Sequence, residues 1–392
     1  MSTPNFETQA IRTQTEKTIY KEHSTPLFLT SSFVFDDAEH ARALFADEIS
    51  GNIYTRFSNP NNSEFIEKLC LLEGTDDGIA VASGMSAMFT SMAALLKSGD
   101  NIISCRSVFG STHQILTQIL PNWGITATFV DIDKPDTWES YIQPNTKMFF
   151  VETPSNPSLQ LIDLEFLANL CEKHQIISNV DNCFATPYLQ NPAKWGIDLV
   201  THSATKFIDG QGRVIAGAIL GKAELIKEIR FFARHTGPAL SPFNSWILSK
   251  SLETLAVRMD RHCENAIKTA NFLEKHPEVE KVIYPFLDSH PQKKMAQKQM
   301  MQGGGLVTFI VKGGVERGRR LLNSLQLFSH SANLGDTRTI VTHPASTTHS
   351  KLTEEDRNAV GILPGMIRIS VGLEHIDDIF NELNRVLSLS KI

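Results

Sequence analysis

A lysine and an aspartate in this chain have the types and spacing that one cofactor chemistry requires. Lys206 ends the segment His-Ser-Ala-Thr-Lys, which follows an apolar run at 198–201. Asp181 follows another apolar run at 176–180. A lysine amine forms a Schiff base with an aldehyde, and a buried aspartate keeps a pyridine nitrogen protonated. The pair therefore predicts a site for pyridoxal phosphate (PLP).

Short polar residues near this pair suit a phosphate group. Ser83, Gly84 and Met85 lie between a strand-like run and an apolar helical run. Such a junction brings free backbone N–H groups and the positive end of a helix to one point. A strand–glycine–helix junction is also common as a purely structural feature. Ser203 and Thr205 add two hydroxyls beside the lysine, so the combined pattern favours a phosphate site.

Four other side chains are candidates for cofactor or substrate contacts. Phe109 follows a predicted strand, where its ring either stacks on a pyridine or packs in the core. Tyr54 and Arg56 lie in the N-terminal stretch. They either complete a phosphate site on another subunit or act as a surface tether. Arg368 interrupts an apolar strand and needs an anionic partner. A substrate α-carboxylate and an internal ion pair are both open as that partner.

The elements around these residues predict an α/β fold. Strand and helix signals alternate over 61–250, which indicates a mostly parallel sheet with its ligand site at the carboxyl ends of the strands. Residues 251–392 mix strands and helices and predict a smaller α+β domain. The polar stretch 1–60 predicts an extended arm that contacts a neighbouring subunit. We also expect a helix capped at Asn62 or Ser63, and a long helix over about 242–275 that is kinked or split near residues 253–258.

Composition excludes several classes of protein. The chain has 392 residues, 41% of them hydrophobic, and a net charge of −6, which disfavours nucleic acid or an anionic membrane as partners. No apolar run approaches the ~20 residues of a membrane helix. Five scattered cysteines without a CxxC pair fit reduced thiols in the cytoplasm better than disulfides or a metal site. We therefore expect a cytoplasmic enzyme that acts on small molecules and binds no metal.

The ordered motifs resemble the Cys/Met-metabolism family of PLP-dependent enzymes, over about residues 25–387. This family includes cystathionine γ-synthases, cystathionine and methionine γ-lyases, and homoserine-ester sulfhydrylases. The motifs that carry the resemblance read Tyr-Thr-Arg-Phe-Ser-Asn-Pro at 54–60, Ser-Gly-Met-Ser-Ala at 83–87, Glu-Thr-Pro-Ser-Asn-Pro at 152–157, Asp-Asn at 181–182, Ser-Ala-Thr-Lys at 203–206, His-Pro-Ala-Ser at 343–346 and Arg-Ile-Ser-Val-Gly-Leu at 368–373.

The resemblance implies PLP fold type I, like aspartate aminotransferase, with a large mostly parallel-sheet domain and a smaller C-terminal domain. It implies a homotetramer built as a dimer of dimers. It also implies that Lys206 and Asp181 are the catalytic residues, with PLP held as a Schiff base on Lys206. The implied PLP contacts are Tyr54, Arg56, Ser83, Gly84, Met85, Phe109, Asn156, Asp181, Ser203, Thr205 and Lys206, and the implied substrate contacts are Arg368, Asn333, Asn156, Tyr54 and Phe109.

Three positions depart from the pattern of the wider family. Phe109 stands where a tyrosine is usual, so ring stacking is kept but no proton transfer is assigned to a phenol. This departure places more of the acid–base work on Lys206. Asn333 replaces a serine that would help the lysine and the substrate carboxylate. Ser111 occupies the position of the γ-lyase active-site cysteine, which argues against a methionine γ-lyase.

The segments 109–113, 210–213, 232–238 and 333–336 are most similar to the homoserine-ester sulfhydrylases of this family. The similarity implies γ-replacement of O-succinyl-L-homoserine by sulfide, giving L-homocysteine and succinate for methionine biosynthesis. Cystathionine γ-synthase, with cysteine as nucleophile, and O-acetylhomoserine sulfhydrylase are the alternatives. Arg213 is a candidate for the distal carboxylate of the succinyl group, and a structural ion pair is its alternative role.

Two readings from other classes fit the sequence less well. A nicotinamide-dependent oxidoreductase would need a GxGxxG segment after its first strand and an acidic residue about 20 positions later, and neither is present. A catalytically inactive subunit is disfavoured because Lys206, Asp181 and Arg368 are all retained.

Overall fold

Two β-sheets organise the chain in the computed structural model, which describes residues 4–347, 350, 353–359 and 361–391. The strands of the first sheet are β1 (Asp77–Val81), β2 (Asn101–Cys105), β3 (Thr126–Val130), β4 (Thr146–Glu152), β5 (Ile177–Asp181), β6 (Leu199–Ser203) and β7 (Gly217–Gly221). The strands of the second are β8 (Val279–Ile283), β9 (Leu306–Val311), β10 (Ser329–His330), β11 (Ile340–Thr342) and β12 (Met366–Ser370).

Helices precede, connect and cover these sheets. The described α-helices are α1 (Phe6–Arg12), α2 (Ala38–Phe45), α3 (Pro60–Glu73), α4 (Gly84–Ala93), α5 (Gly110–Gln114), α6 (Leu164–His174), α7 (Thr186–Leu189), α8 (Ala223–Thr236), α9 (Pro242–Leu252), α10 (Leu255–Glu274), α11 (Lys293–Gln299), α12 (Gly314–Asn323), α13 (Glu354–Ala359) and α14 (Ile376–Leu389). A π-helical turn (Ile115–Ile119) follows α5, and 3-10 turns span Leu120–Trp123, Pro135–Tyr141, Pro192–Trp195 and Pro344–Ser346.

The first sheet has the order β1-β7-β6-β5-β4-β2-β3 and is mostly parallel, which confirms the predicted α/β class. Only β7 runs antiparallel, to both β1 and β6. Strand β4 reads Thr-Lys-Met-Phe-Phe-Val-Glu, and five consecutive residues at its end are buried. Such a continuous apolar run is typical of a parallel strand that is covered on both faces. Helix α6 packs on this layer through Leu164 and Leu167.

The register of the central strands brings their carboxyl ends to one level. Glu152 at the end of β4 pairs with Asp181 at the end of β5. Asp181 pairs in turn with Thr201 in β6, and β6 continues to Ser203. The side chains that follow these ends are therefore neighbours at one edge of the sheet.

The second sheet has the order β10-β11-β12-β9-β8 and packs against α10 and α14. Its pairs are antiparallel except for β10 with β11. Arg368 lies in β12 between Thr308 of β9 and Thr342 of β11. The predicted break in the long helix is confirmed, because α9 ends at Leu252 and α10 begins at Leu255. The domain boundaries at residues 60 and 250 stay a prediction.

The predicted start of α3 was wrong by a few residues. The helix begins at Pro60, and its N-cap is Asn59 rather than Asn62 or Ser63. The Asn59 side chain accepts a hydrogen bond from the backbone N–H of Asn61 at 3.0 Å. Proline at the first helical position needs no hydrogen bond partner for its nitrogen, so the pair Asn-Pro sets the boundary.

The N-terminal stretch is less extended than predicted, because it includes the short helices α1 and α2. It is fastened to α3, where Thr15 and Thr25 donate hydrogen bonds to the buried carboxylate of Glu64. Apolar side chains remain exposed along it, with Ile19 89% and Val34 96% exposed. Its contact with a neighbouring subunit stays a prediction, and so does the homotetramer.

Within the described part of the chain, every helix is too short or too polar to cross a membrane. The same residues include no group of three or more His, Cys, Asp or Glu side chains that could hold a metal ion. All five cysteines are buried and unpaired.

Candidate active site

A cavity of about 280 Å³ lies where the carboxyl ends of β4, β5 and β6 face the second sheet. Parallel strands present their ligand sites at this edge. The cavity brings together ten of the predicted site residues. They are Ser83, Gly84, Met85, Phe109, Asn156, Asp181, Ser203, Thr205, Lys206 and Arg368.

Lys206 enters the cavity from the turn that follows β6. Its Nζ donates a hydrogen bond to Asn333 Oδ1 at 2.5 Å, so the predicted substrate contact Asn333 touches the lysine directly. Burial lowers the pKa of Lys206, and the charge of Arg368 acts in the same direction. Cys183 and Asp181 act in the opposite direction. A lowered pKa makes the neutral, nucleophilic amine available at lower pH.

Asp181 ends β5, the strand that pairs with β6. Its Oδ1 accepts a hydrogen bond from the backbone N–H of Cys183 at 3.0 Å. Burial raises the pKa of Asp181 to about 6, although His202 and Lys206 favour its charged form. A buried carboxylate of this kind gains most from a cationic partner such as a protonated ring nitrogen.

The N-terminus of α4 has the features of a phosphate site. Ser83 caps the helix by accepting from the N–H of Ser86 at 3.0 Å. The first two N–H groups of the helix, at Gly84 and Met85, have no acceptor within the helix. A Cβ added to Gly84 would lie 2.5 Å from the Ser203 Cβ, so only glycine allows this approach. The amides and hydroxyls therefore fit a phosphate, and we call Ser83, Gly84, Met85, Ser203 and Thr205 the phosphate cradle.

Of the three hydroxyls of the cradle, Ser83 caps α4, and the other two differ in their surroundings. Thr205 Oγ1 accepts from the Ala216 N–H at 3.0 Å and donates to the Ala216 carbonyl at 3.3 Å. Its donated proton would have to turn away from Ala216 to meet a phosphate. Ser203 lies at the end of β6 and lines the cavity beside Gly84.

Arg368 presents a buried guanidinium that lacks an ion-pair partner within the described chain. Its Nη1 donates to Asn156 Oδ1 at 2.8 Å, and its Nη2 donates to the Asn333 carbonyl at 3.1 Å. Among the residues that the structure describes, its buried Nε has no hydrogen-bond partner. Burial lowers the pKa of Arg368 to about 10, and Glu152 opposes that shift. A buried N–H that lacks an acceptor, next to two N–H groups whose direction is set by hydrogen bonds, is suited to a ligand carboxylate.

Tyr54 and Arg56 lie outside the cavity of their own chain. Arg56 stacks on Phe57 and donates a hydrogen bond to the backbone carbonyl of Arg234. Tyr54 is 41% exposed. Their predicted role would therefore require a second copy of the chain, and that role stays a prediction.

Glu152 and Cys183 are residues of the cavity wall to which the sequence analysis assigned no role. Glu152 is buried and accepts a hydrogen bond from the backbone N–H of Phe109 at 2.8 Å. Cys183 lies two residues after Asp181, and burial raises the pKa of its thiol. Both follow the ends of buried strands, as Asp181 and Lys206 do, so the strand-end pattern could have identified them.

The family model described as Cys/Met metabolism PLP-dependent enzyme matches residues 7–388. An O-succinylhomoserine sulfhydrylase of Pseudomonas aeruginosa is 44% identical over 383 residues, which cover 98% of this chain and 95% of that protein. An L-methionine gamma-lyase of Porphyromonas gingivalis is 42% identical over 97% of this chain and 96% of that protein.

A solved structure from Campylobacter jejuni has the same fold. It is described as a candidate O-acetylhomoserine (thiol)-lyase with a pyridoxyl-lysine. Its TM-score is 0.94 at 35% identity, over 98% of this chain and all of the other.

Borohydride reduction in the presence of PLP should attach the cofactor to Lys206 and to no other lysine. Lys206→Ala should take no covalent label and should lose turnover, yet still bind PLP, because the cradle and Asp181 remain. Mass spectrometry of peptides and absorbance after dialysis measure these outcomes. Lys222→Ala is the control, since Lys222 pairs with Asp198 away from the cavity. Label on another lysine, or substantial turnover by Lys206→Ala, would contradict the assignment.

The affinity of the apoprotein for PLP should fall as pH drops through about 6, the raised pKa of Asp181. Below that pH the carboxyl is protonated and must lose its proton to pair with the ring nitrogen. One coupled proton gives a slope of roughly tenfold per pH unit. Asp181→Asn should bind PLP more weakly, and its affinity should not change with pH near 6. Asp131→Asn should keep the pH dependence of the wild type. Equal pH profiles for the wild type and Asp181→Asn, in fluorescence titrations, would show that another group titrates.

Proposed function

Because the chain belongs to the Cys/Met-metabolism family of PLP-dependent enzymes, we propose that it converts O-succinyl-L-homoserine and sulfide into L-homocysteine and succinate. The O-succinylhomoserine sulfhydrylase relative supports this choice of substrate. The observation that carries the proposal is the unpartnered Nε of Arg368, in the same buried cavity as Lys206. An amino acid whose α-carboxylate meets Arg368 would have its reacting carbons beside the lysine.

Lys206 is the acid–base group of the proposed reaction. Bound PLP supplies an electron sink that makes the α- and β-protons of an attached amino acid acidic. The amine of Lys206 then removes the α-proton, moves a β-proton, and later returns protons in the reverse order. Its lowered pKa suits this role, because a base must be neutral before it accepts a proton. Asn333 holds the amine by accepting its hydrogen bond.

The bond changes take place at the γ-carbon of the substrate. The C–O bond to the acyl group breaks and its electron pair leaves with succinate. Hydrosulfide then forms a C–S bond at the same carbon and keeps its proton as the thiol of homocysteine. Apolar side chains line the cavity beyond Lys206, including Ile215, Leu334 and Pro344. They would limit the entry of water, which competes with sulfide as a nucleophile.

The acetyl ester is a second candidate substrate, because the cavity offers no spare cation for a distal carboxylate. The charged side chains among the described lining residues are Glu152, Asp181, Lys206 and Arg368. Arg213, the sequence candidate, binds Asp209 instead. Its Nε lies 3.0 Å from Asp209 Oδ1, and its Nη2 donates to Ser251 Oγ at 2.5 Å.

The purified protein with PLP should form homocysteine from O-succinylhomoserine and sulfide, detected by mass spectrometry. Parallel reactions should replace the succinyl ester by the acetyl ester, or sulfide by cysteine. A further reaction should contain sulfide and cysteine together. Homocysteine should exceed cystathionine when both nucleophiles are present at equal concentration, because no spare cation in the described cavity wall would bind the carboxylate of a second amino acid. Dominant cystathionine would instead make the chain a cystathionine γ-synthase, and 2-oxobutyrate from methionine would indicate a γ-lyase.

Arg368→Lys should raise the KM for the amino-acid substrate by roughly tenfold to a hundredfold, because hydrogen bonds to charged groups contribute about 1.5–3 kcal/mol. Arg213→Ala should leave the KM for the succinyl ester within about twofold and lower the Tm, because it removes a partner of the buried Asp209. Steady-state kinetics and thermal unfolding measure both. A selective rise in KM for the succinyl ester over the acetyl ester in Arg213→Ala would restore Arg213 as a substrate contact.

A further inference from the structure

Glu152 is a buried acidic group that the proposed reaction does not use. It is 5% exposed at the end of β4, next to Asp181 in the sheet. It forms no ion pair within the part of the chain that the structure describes. Burial of a carboxylate without such a partner opposes folding unless hydrogen bonds compensate. The burial of this carboxylate in the cavity wall therefore needs an explanation.

The carboxylate of Glu152 is hydrogen-bonded to the backbone of Phe109, the predicted ring-stacking residue, and to the backbone of Asn156. Glu152 Oε2 accepts from the Phe109 N–H at 2.8 Å, which joins the end of β4 to the loop after β2. The same loop contains Ser107, whose buried hydroxyl has no hydrogen-bond partner in the described part of the chain. At its other end, the Arg106 N–H donates to the Val130 carbonyl at 3.3 Å. Glu152 is thus the side-chain anchor of the loop at Phe109.

The Phe109 ring has little else to fix its position. It is 42% exposed, so core packing does not hold it. It is also the N-cap residue of α5, a helix whose N-terminus receives no hydrogen bond from a capping side chain. The direction of the ring therefore depends on the backbone at residue 109. Two hydrogen bonds hold that backbone: its N–H donates to Glu152 Oε2, and its carbonyl accepts from the His113 N–H at 3.0 Å.

We propose that Glu152 is a positioning residue that holds Phe109 against the cofactor ring through the Phe109 N–H. This inference rests on the proposed stacking role of Phe109, and it is independent of which homoserine ester reacts. Glu152 acts through Phe109 and has no contact of its own with the amine of Lys206. Its essential property is a hydrogen-bond acceptor at the reach of a glutamate side chain.

Two conservative variants separate the acceptor from the charge. Glu152→Gln keeps an acceptor at the same reach and removes the charge. Glu152→Asp keeps the charge, but its side chain is one methylene too short to reach the Phe109 N–H. Glu152→Asp should release PLP about fivefold faster and lose visible circular dichroism, the size expected for a weakened aromatic contact. Glu152→Gln should stay within about twofold of the wild type in both measurements.

A double-mutant cycle with Phe109→Ala tests whether Glu152 acts through the ring. Holoenzyme variants are diluted into a PLP trap, and the loss of cofactor is followed by absorbance. Phe109→Ala alone should accelerate the loss, and adding Glu152→Asp should change it by less than about 1.5-fold, because the ring is already absent. Far-ultraviolet circular dichroism of each variant checks that it is folded.

Three outcomes would overturn the inference. The first is an equal effect of Glu152→Asp with and without the Phe109 ring, which would indicate a general structural role. The second is loss of the cofactor signal in Glu152→Gln as large as in Glu152→Asp, which would indicate that charge is the essential property. The third is normal retention of PLP by Phe109→Ala, which would remove the premise of stacking.

A backbone change provides the same test if Glu152→Asp does not fold. Replacing Phe109 by its α-hydroxy acid converts one amide to an ester, which removes the donated N–H and keeps every side chain. PLP release should again rise about fivefold, and wild-type release from this ester variant would overturn the inference. None of these measurements needs a substrate. A wrong choice of ester or nucleophile in the proposed function would therefore leave them unchanged.

Discussion

Two cations and two carboxylates lie around one buried cavity, and the rest of the site depends on how their charges are balanced. Burial alone disfavours the charged form of Lys206, Arg368, Glu152 and Asp181. Among the described residues, none of the four forms an ion pair within hydrogen-bonding distance. They act on one another across the cavity, because Glu152 favours the charged form of Arg368 and Asp181 favours that of Lys206. Each group therefore keeps hydrogen-bonding capacity for a ligand.

The fold meets this constraint by bringing the four groups from separate elements. Adjacent parallel strands end at the same level, which places Glu152 beside Asp181. The turn after β6 supplies Lys206, and the second sheet supplies Arg368 from the opposite side. The phosphate cradle contributes amides and hydroxyls but no cation. A dianionic phosphate would gain from one more positive charge, which is the role that the family resemblance implies for Arg56 of a second copy.

Much of the secondary structure was predictable because its signals are local. The apolar runs at 176–180 and 198–201 form strands β5 and β6, and the long helix that follows is split as predicted. The sequence did not indicate that β7 runs antiparallel, because strand direction follows from how the chain returns to the sheet. The start of α3 was missed because Asn59 and Pro60 were read as part of a motif and not as a cap.

The sequence by itself determined which groups can do the chemistry, because Lys206, Asp181 and Arg368 are residues whose types are rarely buried without a function. Only the tertiary structure decided what each one touches. Lys206 meets an amide of Asn333 from a loop that is distant in sequence, and Arg213 is bound to Asp209 and not free for substrate. These contacts depend on how separate elements pack, since a hydrogen bond requires a distance that sequence spacing does not specify.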